Sequence, residues 1–205
     1  MAPLVSFFSS LSANQFVSDP NKVPLGKIDQ SIRGPALLFL TSAVLWLLAG
    51  TVFALIAAIK MHNPEFLGDW EALTFGRARA AHLNSVIYGW CNNVIFGVGL
   101  WIMARLCRSA VKHGGILLIA GIFWNIGVTI GIAGILTGYL TSVEWLEMPV
   151  QVAPLLVFAY GLIAVWGIIS FRFRQVEHVY VSQWFILAGL FWLPWLYTIA
   201  QILIL

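Results

Sequence analysis

Residues 35–59 read PALLFLTSAVLWLLAGTVFALIAAI, a stretch without a single charge. As a helix it runs about 37 Å at 1.5 Å per residue, enough to cross the ~30 Å hydrocarbon core of a bilayer. Four further apolar runs follow, at about 80–104, 115–139, 150–171 and 179–205. The second is broken by His82, Asn84, Asn92 and Asn93. In lipid every backbone polar group must be satisfied internally, so unbroken runs of this length span as helices. None shows the ten-residue alternation of an outer-membrane barrel strand. The expectation is an all-α, polytopic membrane helix bundle of five transmembrane helices over 35–205.

Composition agrees. The chain has 205 residues, 60% hydrophobic and only 9% charged, with a mean hydropathy of +0.91. A soluble domain carries about 25% charged residues, so a water-soluble globule and a disordered chain are both excluded. The net charge of +3 is too small to argue for a nucleic-acid partner. Cys91 and Cys107, placed on one helix, are about 24 Å apart, beyond disulfide reach. No C-x-x-C-H is present to attach a c-type haem.

Residues 1–34 differ. They hold Ser9-Ser10, Asp19-Pro20 and the basic Lys22, Lys27 and Arg33, with no long apolar run. The charged start of a signal peptide is missing. They are expected to form a mobile or surface-lying tail.

Charge sets the orientation. With five crossings, Lys22, Lys27, Arg33, Arg105, Arg108, Lys112, Arg172 and Arg174 share one side, against Lys60, Arg77 and Arg79 on the other. Glu65, Asp69, Glu71, Glu144 and Glu147 lie on the poorer side. The positive-inside rule then places the N-terminal tail in the cytoplasm. The chain stops at Gln201-Ile202-Leu203-Ile204-Leu205 without a polar flank, which suggests a truncated chain or one part of a split subunit.

His82 is the residue most able to carry chemistry. An ionisable side chain inside a membrane helix is a functional candidate by default. Imidazole ligates haem iron, and two imidazoles make an electron-transfer site. The plainer reading is a histidine bonded to a neighbouring helix. Helical steps from His82 reach Ser85, Gly89 and Asn93. Small residues there leave room for a flat macrocycle or, equally, for close helix packing. Arg79, one turn outward, suits a two-pronged bond to propionates or simply snorkels. Glu144 and Glu147 could bind a hard cation such as calcium, though such glutamates are more often solvated. His62 and His113 read as surface positions, and His178 as structural. Trp70, Trp145 and Trp184 read as interfacial belt residues. Pro194 predicts a kink in the fifth helix. There is no phosphate loop, nucleophile elbow or zinc-type histidine pair, and no carboxylate within the five spans.

The stretch Phe75-Gly76-Arg77-Ala78-Arg79-Ala80-Ala81-His82-Leu83-Asn84-Ser85-Val86-Ile87-Tyr88-Gly89 resembles the second-helix signature of subunit I in the haem–copper oxidases. It is most similar to the cbb-type (C-family) cytochrome c oxidases, where a phrase like F-G-R-x-R-x-x-H-x-N-x-V-I-F carries a haem b ligand. Glu177-His178-Val179-Tyr180-Val181-Ser182-Gln183-Trp184-Phe185 looks like the start of that family's fifth helix. Gly138-Tyr139-Leu140 followed by Glu144 looks like the end of its third. The resemblance implies that His82 is an axial ligand of low-spin haem b. It implies that Arg79, and less directly Arg77, hold the propionates, and that Glu144 takes the place of a calcium-binding glutamate. The charge-derived orientation sets these residues on the outer side, where the family keeps its propionates.

The same resemblance implies the N-terminal five-helix portion of a twelve-helix subunit. The whole would take electrons from cytochrome c and reduce oxygen in aerobic respiration. Copper, the second haem and the other haem b ligand would lie beyond residue 205. Partners would be other respiratory oxidase subunits, c-type cytochromes among them, in a bacterial inner (cytoplasmic) membrane. One departure stands out: Trp90-Cys91-Asn92-Asn93 replaces an aromatic-Gly-Gly-Asn stretch. Nitric oxide reductase, a non-catalytic haem b carrier or assembly subunit of the same fold, and a haem-free structural protein are the alternatives.

Overall fold

The computed structural model describes residues 23–204. Five long helices cross in sequence: α1 (Leu25–His62), α2 (Phe75–Leu106), α3 (Gly114–Thr137), α4 (Ala153–Arg172) and α5 (Val181–Ile204). Each is long and apolar enough to span a membrane, and no strand occurs among the described residues. The chain is an integral membrane protein. α1 lies along α2 and touches α3, α3 packs on α4, and α5 leans mainly on α4.

The first helix starts at Leu25, earlier than the expected Pro35. The expected tail over 1–22 lies outside the described residues. The remainder is helical because its polar stretch has an anchored face. Ile28 and Ile32, one turn apart, are buried at 0% and 1% exposure. Asp29 takes two hydrogen bonds from Arg105, at 2.8 and 2.7 Å, and a third from Trp101 Nε1 at 2.9 Å. Tertiary contact thus outweighs the local preference for a helix to begin at a proline. α2 also begins earlier than expected, at Phe75, and α3 ends at Thr137 because Gly138 turns left-handed at φ 92°. Pro194 lies inside α5.

The core is aromatic. Phe96, on α2, meets Phe39, Trp124 and Tyr160 edge-on, with ring centroids 5.5, 5.1 and 5.2 Å away. Such pairs contribute about 0.5–1.5 kcal/mol each beyond area burial, and they tie α1, α3 and α4 to one side chain.

α2 is not a plain α-helix. Ser85–Cys91 forms a π-helical segment in its middle. Widening the turn frees carbonyls from the normal ladder. Three successive ones accept side-chain donors: Ile87 from Asn92 Nδ2 (2.8 Å), Tyr88 from Trp124 Nε1 (2.9 Å) and Gly89 from Asn93 Nδ2 (2.6 Å). Asn93 and Asn125 exchange amide bonds of 3.1 Å in both directions, and Trp46 Nε1 donates to Asn125 Oδ1 at 2.9 Å. This polar knot joins α1, α2 and α3. Asn92, half of the Cys91-Asn92 departure, therefore works as a partner for the opened backbone.

Candidate site at the amino-terminal end of helix α2

His82 sits in the α-helical first part of α2, half-buried, just before the π segment. Its Nδ1 lies 2.9 Å from the Gly50 carbonyl oxygen of α1. A carbonyl can only accept, so Nδ1 must be the donor. In the neutral imidazole Nε2 then carries the lone pair. A backbone carbonyl on one ring nitrogen is the usual device for fixing the orientation and tautomer of a metal-ligating histidine. The same bond also satisfies the plainer reading, a histidine tied to a neighbouring helix.

The space expected beside Ser85 and Gly89 is filled. A Cβ on Gly89 would stand 2.5 Å from the Trp46 side chain. Ser85 is 0% exposed, and its Cβ lies against Gly50. The small residues on this stripe serve the close approach of α1, the alternative reading of that pattern. Nε2 has no hydrogen-bond partner among the described residues and is the nitrogen left for an iron, while the Ser85–Gly89 face does not offer room for a macrocycle.

Around His82 the loops at this end of the bundle form a charged layer. Arg79 Nη1 bonds Glu144 Oε1 at 3.0 Å, with both side chains largely exposed. Such a pair contributes about 0–1 kcal/mol. Glu147 behaves differently. It is 3% exposed, and its Oε2 accepts from Asn84 Nδ2 at 2.8 Å. Its Oε1 has no hydrogen bond, and Arg79 Nη2 is 4.0 Å away. Asn84 also donates to Ala80 O at 2.9 Å, leaving its own Oδ1 without a partner.

The loop that carries both glutamates is pinned to α2 and to itself. Tyr88 donates its hydroxyl to Trp145 O at 2.7 Å, Thr141 Oγ1 bonds Leu146 O at 2.7 Å, and Thr141 N bonds Glu147 O at 3.1 Å. Arg77 Nη1 donates to Glu71 O at 2.8 Å and Leu136 O at 3.2 Å, so it caps the carboxyl end of α3.

The structure thus brings Arg79, Glu144 and Glu147 together above His82, and turns Arg77 toward backbone. The buried Glu147–Asn84 pair is what the sequence did not disclose. Two glutamates three residues apart in a loop carry no signal of which turns inward. Calcium takes six to eight oxygen ligands. Among the described residues no group of three or more His, Cys, Asp or Glu could hold a metal, and Glu144 is engaged by Arg79. These residues do not make a calcium site by themselves. His62, His113 and His178 are exposed, as are Trp70, Trp145 and Trp184.

The chain matches the family model described as cytochrome c and quinol oxidase polypeptide I over residues 34–205. It is 26% identical over 182 residues to a cytochrome c oxidase subunit 1 homolog of Azorhizobium caulinodans, covering 85% of this chain and 32% of that protein. It is 23% identical over 149 residues to the cbb3-type cytochrome c oxidase subunit CcoN1 of Stutzerimonas stutzeri, covering 72% and 31%. It is 28% identical over 151 residues to cytochrome c oxidase subunit 1 of Rhodobacter capsulatus, covering 70% and 27%. The chain spans about a third of the length of these relatives.

Proposed function

Because the chain belongs to the cytochrome c and quinol oxidase polypeptide I family, we propose that it is the N-terminal portion of a cbb-type subunit I and supplies one axial ligand, His82, to a low-spin haem b. The observation that carries this reading is the Gly50 carbonyl on His82 Nδ1, which leaves Nε2 as the coordinating atom. Haem b, when bound, supplies one-electron redox chemistry, and the protein supplies position and electrostatics. His82 fixes where such a group sits. Gly50 fixes the tautomer. Arg79 provides a guanidinium at the mouth of the site for propionates, with Glu144 as its partner in their absence. Arg77 holds the end of α3 in place. Glu147 and Asn84 lock the outer loop over α2.

Five helices and one such histidine do not reduce oxygen. The oxygen-reducing haem–copper centre, the second haem b ligand and the contacts to c-type cytochrome subunits belong to the rest of the assembly. That assembly would take electrons from cytochrome c. The charge asymmetry supports a bacterial inner-membrane location with the N-terminus in the cytoplasm.

A second reading is favoured by the close packing of Trp46 on Gly89. There the fold persists as a non-catalytic assembly subunit or as a structural protein without haem. A nitric oxide reductase relative would share the same first five helices.

The test is a reduced-minus-oxidised spectrum of the membrane complex containing this chain, compared with a His82→Ala variant. Loss of a low-spin b-type band on substitution is the expected result. An unchanged band in a stably assembled variant would reduce His82 to a packing residue.

A further inference from the structure

At the opposite end of the bundle, two loops meet. Trp166 Nε1 donates to Lys112 O at 3.0 Å, and Gln175 N donates to Cys107 O at 2.8 Å. This brings Lys112 to the end of α4, where Arg172 stands in the last turn and Arg174 follows just after it. Lys112 Nζ lies 4.3 Å from the centre of the Phe173 ring. The Arg174 guanidinium lies 4.7 Å from that of Phe171, and its Nη1 donates to Phe171 O at 3.2 Å. None of the three cations makes an ion pair among the described residues, and neither does Glu177, the one acid of the second loop. At the same end Arg105 is neutralised by Asp29.

An open pocket of about 620 Å³ adjoins the cations, lined by Ile168, Phe171, Arg172, Phe173 and Arg174. The apolar part of its lining is accessible, with Ile168 60% and Phe173 49% exposed.

We propose that this corner seats an anionic glycerophospholipid. Lys112, Arg172 and Arg174 take its phosphate, and an acyl chain runs down the Ile168 face of α4. Three observations support the assignment. None of the three cations has an acid against it among the described residues, so the corner carries net positive charge to be complemented. Two of them lie over phenylalanine faces, and cation–π attraction steadies long side chains that would otherwise be disordered by their own entropy. The cluster stands at the end of a membrane span with exposed apolar side chains on its membrane side, the depth at which a lipid changes from headgroup to chain. Basic clusters at this position bind acidic headgroups. A soluble anion would use the cations and ignore the apolar wall. A neutral lipid would do the reverse.

The test uses the detergent-purified complex containing this chain, titrated with phosphatidylglycerol or phosphatidylcholine and weighed intact by native mass spectrometry. The wild type is expected to retain phosphatidylglycerol in preference to phosphatidylcholine. The triple variant Lys112→Gln/Arg172→Gln/Arg174→Gln is expected to bind phosphatidylglycerol about a hundredfold more weakly. A control triple, Lys27→Gln/Arg33→Gln/Arg108→Gln, removes the same charge from the same end and is expected to keep the bound lipid. Should the first triple fail to assemble, the single Arg172→Gln variant is expected to weaken binding about fivefold. Equal retention by wild type and triple would overturn the assignment. So would equal loss in the control, equal affinity for the two lipids, or a wild-type complex that binds no phosphatidylglycerol because another protein segment covers the corner.

Discussion

The loop regions at the two ends of this bundle treat their cations differently, although Arg105 in the last turn of α2 is paired with Asp29. At the His82 end Arg79 reaches Glu144 and Arg77 reaches two backbone carbonyls. At the other end Lys112, Arg172 and Arg174 rest on aromatic rings or solvent, with no acid against them among the described residues. Paired cations at the His82 end hold a loop in register over α2. Unpaired cations at the other end leave their charge for something else. The contrast follows from chemistry that is local to each loop: the loops at the His82 end carry five of the eight acids, and the loop after α4 carries one.

The His82 end is most vulnerable where α2 joins the polar knot. Gly89→Leu is expected to destabilise most, because even its Cβ would stand 2.5 Å from Trp46. Overpacking costs about 1–3 kcal/mol or more, read as a drop in thermal midpoint of the detergent-solubilised complex. Asn125→Leu comes next. It leaves Trp46 Nε1 and Asn93 without their partner. Hydrogen bonds between membrane helices average about 0.6 kcal/mol with a maximum near 1.7, so the loss is expected at about 1–2 kcal/mol by the same measurement.

Paired substitutions sharpen the contrast between the two glutamates. Glu147→Leu removes a buried partner of Asn84 and is expected to cost about 1–3 kcal/mol, the penalty for an orphaned buried donor. Glu144→Gln, at an exposed pair, is expected to cost about 0.5 kcal/mol or less, a loss that vanishes in high salt. Equal effects would mean that burial does not separate their roles. The smallest effect belongs to Cys107. Its thiol is 0% exposed, and burial pushes its titration up, partly offset by the Gln183 hydrogen bond and the charge of Arg174. Since the thiolate is the reactive species, alkylation at neutral pH is expected to be slow in the folded protein and fast after denaturation.

Much of this architecture was legible in advance. Long charge-free runs in a chain with so few ionisable residues admit little besides spanning helices, and the described residues hold five helices long and apolar enough to span. His82 and Arg79 stood out because ionisable groups are rare at such positions. Three features were hidden for physical reasons. The extension of α1 to Leu25 depends on Ile28, Ile32 and the Asp29–Arg105 pair, contacts made across 76 residues. The π segment leaves only Asn92-Asn93 as a local trace, and its third freed carbonyl is satisfied by Trp124, 36 residues away on α3. The burial of Glu147 depends on how Tyr88 and Thr141 fold a loop. The small residues near His82 were ambiguous, and Trp46 resolves them as packing.

The central claim is that His82 Nε2 is a haem ligand, and cavity rescue tests it most directly. In a His82→Gly variant of the intact complex, the low-spin b-type band should disappear from the reduced-minus-oxidised spectrum and return on addition of free imidazole. A low-spin band that persists in the variant without imidazole, in a normally assembled complex, would contradict the claim and leave His82 a packing residue bonded to Gly50.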